Sequence, residues 1–347
     1  MKKFIFTLMA LGCIIVANAQ NQLPSATLQH GDDLTFFTGL DALSKAYNAA
    51  VDGDVITLSA GTFSAIDIQK DISIYGAGFE ADEETGTEVT TVTGKAYVSL
   101  YGVTRTGIHL EGLYFDNEFN FRGSSNTVEK LKDFTLKKCY LTKHIWNNVD
   151  TLESVTFDQC VLMGGLSTGD LYGDNESTVF KNLLFTHCYI NGTVFGYNSD
   201  LSYILMDHCI SSAIYNINYG QGKKQVWTNS IFVAYDTGST HGLCGQSSFV
   251  TNCIARQTVF PTSVTVENLY HVYNLAEIFT DEASADYTPT RTFELQQPET
   301  WVGTDGTQVG LHGGNGWNKV PGVPVVKDLQ LSVDGSTLNV TYEAEAR

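Results

Sequence analysis

The segments FTLKKCYL (134–141), VTFDQCVL (155–162), LLFTHCYI (183–190), ILMDHCIS (204–211), QVWTNSIF (225–232) and SFVTNCIA (248–255) align without a gap. Their shared sixth position is Cys139, Cys160, Cys188, Cys209, Ser230 and Cys253, at spacings of 21, 28, 21, 21 and 23 residues. Two earlier segments fit the same frame: ISIYGAGF (72–79), with Ala77 at the shared position, and IHLEGLYF (108–115), with Leu113. A fixed period of this length marks a stacked repeat architecture. Within each segment apolar residues alternate, which indicates a strand, and the alternation slips at two positions before resuming. The residue before the shared position is Gly76, Gly112, Lys138, Gln159, His187, His208, Asn229 or Asn252. Half of these are Gly or Asn, which tolerate a left-handed backbone at a tight bend. Strand, bend and strand, repeated about every 21 residues, describes one coil of a parallel β-helix of about ten coils.

The Cys and Asn ladders, together with AVDGDVITLSAGTFSAIDIQKDISIYGAG (50–78), resemble right-handed parallel β-helix proteins of the pectin-lyase-like superfamily, and most of all uncharacterised exported β-helix proteins of polysaccharide-degrading Gram-negative bacteria. The resemblance covers roughly residues 35–315. It implies an all-β, right-handed fold and leaves the activity open, because the superfamily includes lyases, hydrolases, esterases, adhesins and inert spikes.

The ends fit a solenoid. Residues 39–50 place Leu40, Leu43, Ala46, Tyr47 and Ala50 on one helical face, with Thr38 and Asp41 as start caps, and this helix is expected to plug the first coil. Residues 304–314 resemble a closing coil, Pro321 and Pro324 mark a linker, and LQLSV-DGST-LNVTY (329–342) reads as a hairpin turning at Asp334-Gly335. Residues 1–19 read as a signal peptide: Lys2 and Lys3, an apolar run Phe4–Val16, and Ala17-Asn18-Ala19 before the cut. Gly12-Cys13 offers a lipid-attachment reading, weakened by Ala10 and by apolar residues that continue past Cys13. The expected organisation is therefore a leader (1–19), a β-helix with its N-terminal cap (20–320), and a linker with hairpin (321–347), secreted or at the cell surface.

The chain has 347 residues, with 38 acidic against 20 Lys plus Arg and a net charge of −18. Such a surface repels nucleic acid, and no segment after the leader is long enough to insert in a membrane. The Cys row is expected to point inward as buried thiols, with disulfides between neighbouring coils as the alternative and Cys244 off the row in a loop. His187 and His208 fall one coil apart in the bend row and are expected to hydrogen-bond along it, like Asn229 and Asn252. The row Glu111, Lys137, Asp158, Thr186, Asp207 reads as an exposed charge-pairing ladder. The run Glu80–Glu88 reads as a solvated loop.

Lys130, Lys132, Lys137, Lys138, Lys143, His144 and Arg122 form the one basic patch. A β-elimination lyase needs a Lys or Arg base and a cation to stabilise the enolate. Lys137, Lys138, Lys143 and Arg122 are therefore the catalytic candidates. Ca²⁺ is the one cofactor to consider, on Asp133, Glu129, Glu111 and Asp158, although clustered ligand spacing is missing. The aspartate-based hydrolase signatures are absent: the only Asp-Asp is Asp32-Asp33, His241-Gly242 lacks a preceding Gly, and no Arg-x-Lys occurs. Tyr215 and Tyr219, near Lys223 and Lys224, with Trp146 and His144, are the ligand-binding candidates, since sugars need apolar faces beside hydrogen-bonding groups.

In the late coils two outward rows turn apolar: Leu184, Leu205, Val226, Phe249, and Tyr189, Ile210, Ile231, Ile254. Strands apolar on both faces are covered on both. The cover is the chain's own tail (265–345) or a partner protein. Function is expected to be polysaccharide binding or assistance in its processing, with a non-catalytic adhesin or structural protein and a polysaccharide lyase as the alternatives.

Overall fold

The computed structural model describes residues 23–347 except 125–127, 169–178, 196–203, 217–224, 236–240, 258–259, 282, 323–324, 335–336 and 346–347. The chain is all-β, with two short helices among the described residues. A 22-stranded sheet holds the repeat segments, and a six-stranded sheet runs beside it. Successive repeats pair in parallel and in register: Leu136 with Phe157, Phe157 with Phe185, Phe185 with Met206, Met206 with Trp227. The six-stranded sheet is built the same way, from Asp67–Ile68, Ala96–Ser99, Phe119–Arg122, Ile145–Asn147, Leu166–Thr168 and Val194–Phe195.

The left-handed bend is present in seven of the eight repeats, at Gly112, Lys138, Gln159, His187, His208, Asn229 and Asn252, with φ between 48° and 71°. Lys, Gln and His adopt it as well as Gly and Asn, which no local preference announces. A second left-handed row, Gly107, Asp133, Ser154, Asn182 and Ser247, precedes five of the repeats by one segment and has no common residue type that would mark it in the sequence.

The inward rows fill the space between the sheets. Phe157 and Phe185 stack with ring centroids 4.7 Å apart. All six described cysteines are free and buried, and each row thiol donates to carbonyls of its own and the preceding repeat, as Cys160 does to Asp158 and Leu136, both at 3.3 Å. Cys244, off the row and in a loop as expected, is buried in this core too. Burial raises the thiols of Cys139, Cys244 and Cys253, the last two to about 12.

The N-terminal cover is larger than a helix. Strands Ser25–His30 and Asp33–Thr38 pair antiparallel, and the first also runs antiparallel to Val55–Leu58. Helix Ala42–Ala49 buries Leu43, Ala46 and Tyr47 as expected. Leu40 is 64% exposed because the helix starts after it, and Asp41 makes no capping bond but pairs with Lys45 at 2.9 Å.

The chain's own tail covers one apolar row. Leu275, Phe279, Phe293, Trp301, Val309 and Leu311 pack over Tyr189, Ile210, Ile231 and Ile254 in one cluster. The neighbouring row stays more open: Leu184, Leu205 and Val226 are half-buried and Phe249 is 54% exposed.

From Val302 to Gly322 the tail forms a strap that crosses the bend row repeat by repeat, in reverse order. Asn252 Nδ2 donates to the Val302 carbonyl (2.9 Å), and Asn229 Oδ1 accepts from Thr304 N (2.7 Å). His208 and His187 meet the carbonyls of Gly310 (3.1 Å) and Gly313 (3.0 Å). Gln159 Oε1 accepts from Asn318 N (2.9 Å), the Lys138 ammonium donates to the Val320 carbonyl, and Glu111 accepts from Gly322 N (2.9 Å). The bend side chains thus bond mainly to the strap, and the ladder expected along the bends is present at Asn252, whose Oδ1 accepts from Asn268 Nδ2 at 3.1 Å. The reason is that left-handed residues aim their side chains outward, at a backbone whose polar groups need partners. Beyond the strap, Val325–Asp334 and Thr337–Glu345 pair antiparallel as a separate two-stranded sheet. No helix among the described residues is long and apolar enough to cross a membrane.

Candidate ligand-binding face

The outer face of the six-stranded sheet gathers polar and aromatic side chains from successive repeats. Register aligns Asp67 with Tyr97, Tyr97 with Asn120, and Trp146 with Ser167. Phe121 pairs with Asn147, so Asn120 and Trp146 are neighbours as well. Each alternates with a core residue, Ile68, Val98, Phe121, Ile145 or Leu166, whose burial fixes the face that the polar residue takes.

The Arg122 guanidinium lies 3.6 Å from the Tyr97 ring centroid and donates to Tyr101 Oη at 3.4 Å, an arrangement that holds a cation flat on an aromatic face. Asn120 Oδ1 accepts from Trp146 N at 2.9 Å and ties the two rungs together. Trp146 is half-buried, with its ring centroid 4.5 Å from that of His144.

His144 is held on both sides. Its Nδ1 bonds the Gly164 carbonyl, and its Nε2 lies 2.5 Å from Ser167 Oγ. A carbonyl only accepts, so Nδ1 carries the proton and Nε2 accepts from the Ser167 hydroxyl. Burial, partly offset by the Gly164 bond, pulls the His144 pKa below its ordinary value, so the ring is neutral. Gly164 is required here: a Cβ would fall 2.2 Å from His144 N. Ser167 is fully buried, and its hydroxyl holds the His144 ring in place.

Of the residues singled out in the sequence, Arg122, His144 and Trp146 therefore meet on one face, and Lys143 is exposed in the turn before His144. Lys137 lies on the other sheet, between Glu111 and Asp158 in register. Lys138 is buried under the strap, and Lys130 and Lys132 both pair with Glu153, at 3.3 and 3.4 Å. The basic patch is thus divided between two sheets and partly neutralised. In the charge row, the Thr186 and Thr228 hydroxyls donate to Asp158 (2.8 Å) and Asp207 (2.6 Å), and the row is not wholly exposed as expected, because Glu111 is buried beneath the strap. Tyr215 sits in a short strand paired with His241–Gly242, its side chain outside the described structure, and Tyr219 lies outside the described residues.

The carboxylates considered for Ca²⁺ do not converge. Glu129 accepts from Gly102 N and Ser124 N, and Glu111 from Gly322 N and His109. Among the described residues no three His, Cys, Asp or Glu side chains are placed to share a metal ion. The acidic loop is anchored, not merely solvated: Glu80 takes the Lys319 ammonium and the Tyr287 hydroxyl at the rim of a cavity of about 560 Å³. Tyr97, Asn120 and Ser167 escaped the sequence reading, because loops of unequal length separate them from the Cys frame. The chain matches no protein-family model, no curated protein and no solved structure.

Proposed function

We propose that the chain is an exported right-handed parallel β-helix of the pectin-lyase-like type, released from its leader after Ala19, which binds polysaccharide along the outer face of its six-stranded sheet. The observation that carries this reading is the alignment of Tyr97 with Arg122, Asn120, and Trp146 with His144 on adjacent rungs of one face. Rungs recur about every 4.8 Å, close to the length of one sugar ring, so a glycan lying along the stack meets one rung per sugar. Tyr97 and Trp146 supply apolar faces, Arg122 supplies hydrogen-bonding groups for hydroxyl or acidic substituents, and the buried Asn120 holds the Trp146 rung in place.

A lyase reading is less favoured. Lys138 is committed to the Val320 carbonyl, and Lys137 faces a different sheet from Arg122. The test is binding of the chain from Gln20 to an array of neutral and acidic polysaccharides, with calcium and with chelator, repeated for Trp146→Ala and Arg122→Ala. Specific binding that falls at least about tenfold in Trp146→Ala supports the face. Silence across the array, or binding indifferent to both substitutions, overturns it and favours the adhesin or structural reading.

A further inference from the structure

The two ends of the repeat stack are finished differently. At the N-terminal end the antiparallel strands Ser25–His30 and Asp33–Thr38 and the helix Ala42–Ala49 cover the first coil. At the other end the last strand of the large sheet, Thr265–His271, pairs in parallel with Phe249–Ala255 and, among the described residues, with no strand on its other edge. The segment VTVENLYH (264–271) carries the repeat frame once more, with Leu269 in register with Cys253 and a left-handed bend at Asn268 (φ 50°). The inward row therefore ends in the open. Trp227 and Val250 are fully buried, whereas Val266, next in register, is 37% exposed, and Leu269 is half-buried where Cys253 is enclosed.

A free strand edge is a template for another strand, and this one holds no Lys or Pro to blunt it. It is held in place from behind: Asn268 Nδ2 donates to Asn252 Oδ1 (3.1 Å), and the Tyr270 hydroxyl donates to the Val302 carbonyl (3.2 Å). Its shape selects the partner. Three residues run on each side of the bend, so a straight strand pairs with one arm only. The outermost strand at the N-terminal end, Asp33–Thr38, contains no left-handed residue, so the start of one copy does not match the end of another. The bent edge matches itself. Register places Val264, Val266, Leu269 and His271 inward, and Thr265, Glu267, Asn268 and Tyr270 outward. This order is symmetric about the corner between Glu267 and Asn268, so the strand read backwards alternates in the same way.

We propose that Thr265–His271 is the contact of a two-fold dimer, in which two copies of the chain stack end to end through their last coils. The two edge strands run antiparallel across the axis. Val266 lies opposite Leu269 of the second copy, Thr265 opposite its Tyr270, and the Glu267 carboxylate faces its Asn268 amide. The pairing supplies hydrogen-bond partners for the free backbone edge and closes the open end of the core. The same patch serves on both copies and the capped ends point away, so assembly stops at two.

The test is sedimentation of the chain from Gln20 over about a hundredfold range of concentration, with hydrogen exchange read by mass spectrometry on the same samples. Monomer and dimer are the only species expected. Peptides covering 264–271 are expected to exchange at least about tenfold faster on dilution to the monomer, while peptides covering 155–162 do not change. Val266→Lys, at a position already partly exposed, sets a charge in the paired row and is expected to weaken the dimer at least about tenfold. A monomer at every concentration, growth beyond two copies, or a dimer as tight in Val266→Lys as in the unmodified chain overturns the proposal. If Val266→Lys does not fold, exchange in the unmodified chain decides: protection that rises with concentration at 264–271 supports the contact, and its absence there overturns it.

Discussion

The Lys319 ammonium lies 2.6 Å from Glu80 Oε1, across 239 residues of sequence, and the Tyr287 hydroxyl bonds the other oxygen of the same carboxylate. One glutamate from an early loop thus ties down two points of the returning tail. Glu80→Ala is expected to cost about 2 kcal/mol, because the Tyr287 hydroxyl loses its acceptor and Lys319 keeps only the Pro289 carbonyl. Lys319→Met, which leaves the tyrosine bond intact, is expected to cost about 1 kcal/mol or less. Urea unfolding of the two variants checks the order, and a larger loss in Lys319→Met would contradict the shared-anchor geometry.

Gly164 carries the turn on which His144 rests. Gly164→Ala is expected to destabilise by about 1–3 kcal/mol, since the added methyl meets the His144 backbone and neither side can yield cheaply. If the face binds glycan, the same variant weakens binding by displacing His144 from Trp146. Thermal unfolding and glycan titration read the two effects separately.

The neutral, half-buried His144 makes stability depend on pH. Its folded pKa lies below the ordinary value of about 6.5, so its contribution is full above that pH and is lost as pH falls toward the folded value. The stability difference between the unmodified chain and His144→Asn is expected to shrink on going from neutral to acid pH. A difference that is constant, or grows on acidification, would contradict the burial-driven shift. Comparison with the variant isolates this effect from the other titrating groups.

Cys139, Cys160, Cys188, Cys209, Cys244 and Cys253 are free and enclosed. Iodoacetamide is expected to leave all six unmodified in the native chain and to label them after denaturation. Reductant should not change the native mass or the unfolding midpoint. Substituting Ser for Cys160 should cost about 1–3 kcal/mol by placing a more polar group in an apolar row. Rapid native labelling would show that the row is open.

The candidate face was partly legible. Trp146, His144 and Arg122 stood out by residue type, but Tyr97, Asn120 and Ser167 did not. Their alignment depends on how many residues each loop consumes before the next strand starts. Lys138 looked like a catalytic lysine for the same reason: residue type shows a charge, and only the fold shows a strap carbonyl already holding it.

What the sequence by itself determined is the repeat. Alternating apolar residues in a frame of about 21 place Leu136, Phe157, Phe185, Met206 and Trp227 in one inward row, and the structure pairs them in that register. Side-chain alternation is a local property, and a one-residue slip would expose every core position, so the pattern carries its own register. The route of the tail was decided only in the tertiary structure. The strap meets Lys138, Gln159, His187, His208, Asn229 and Asn252 chiefly through backbone carbonyl and amide groups of residues 302–320. Backbone groups are the same in every residue and leave no mark on sequence, so four kinds of polar side chain can serve one docking row.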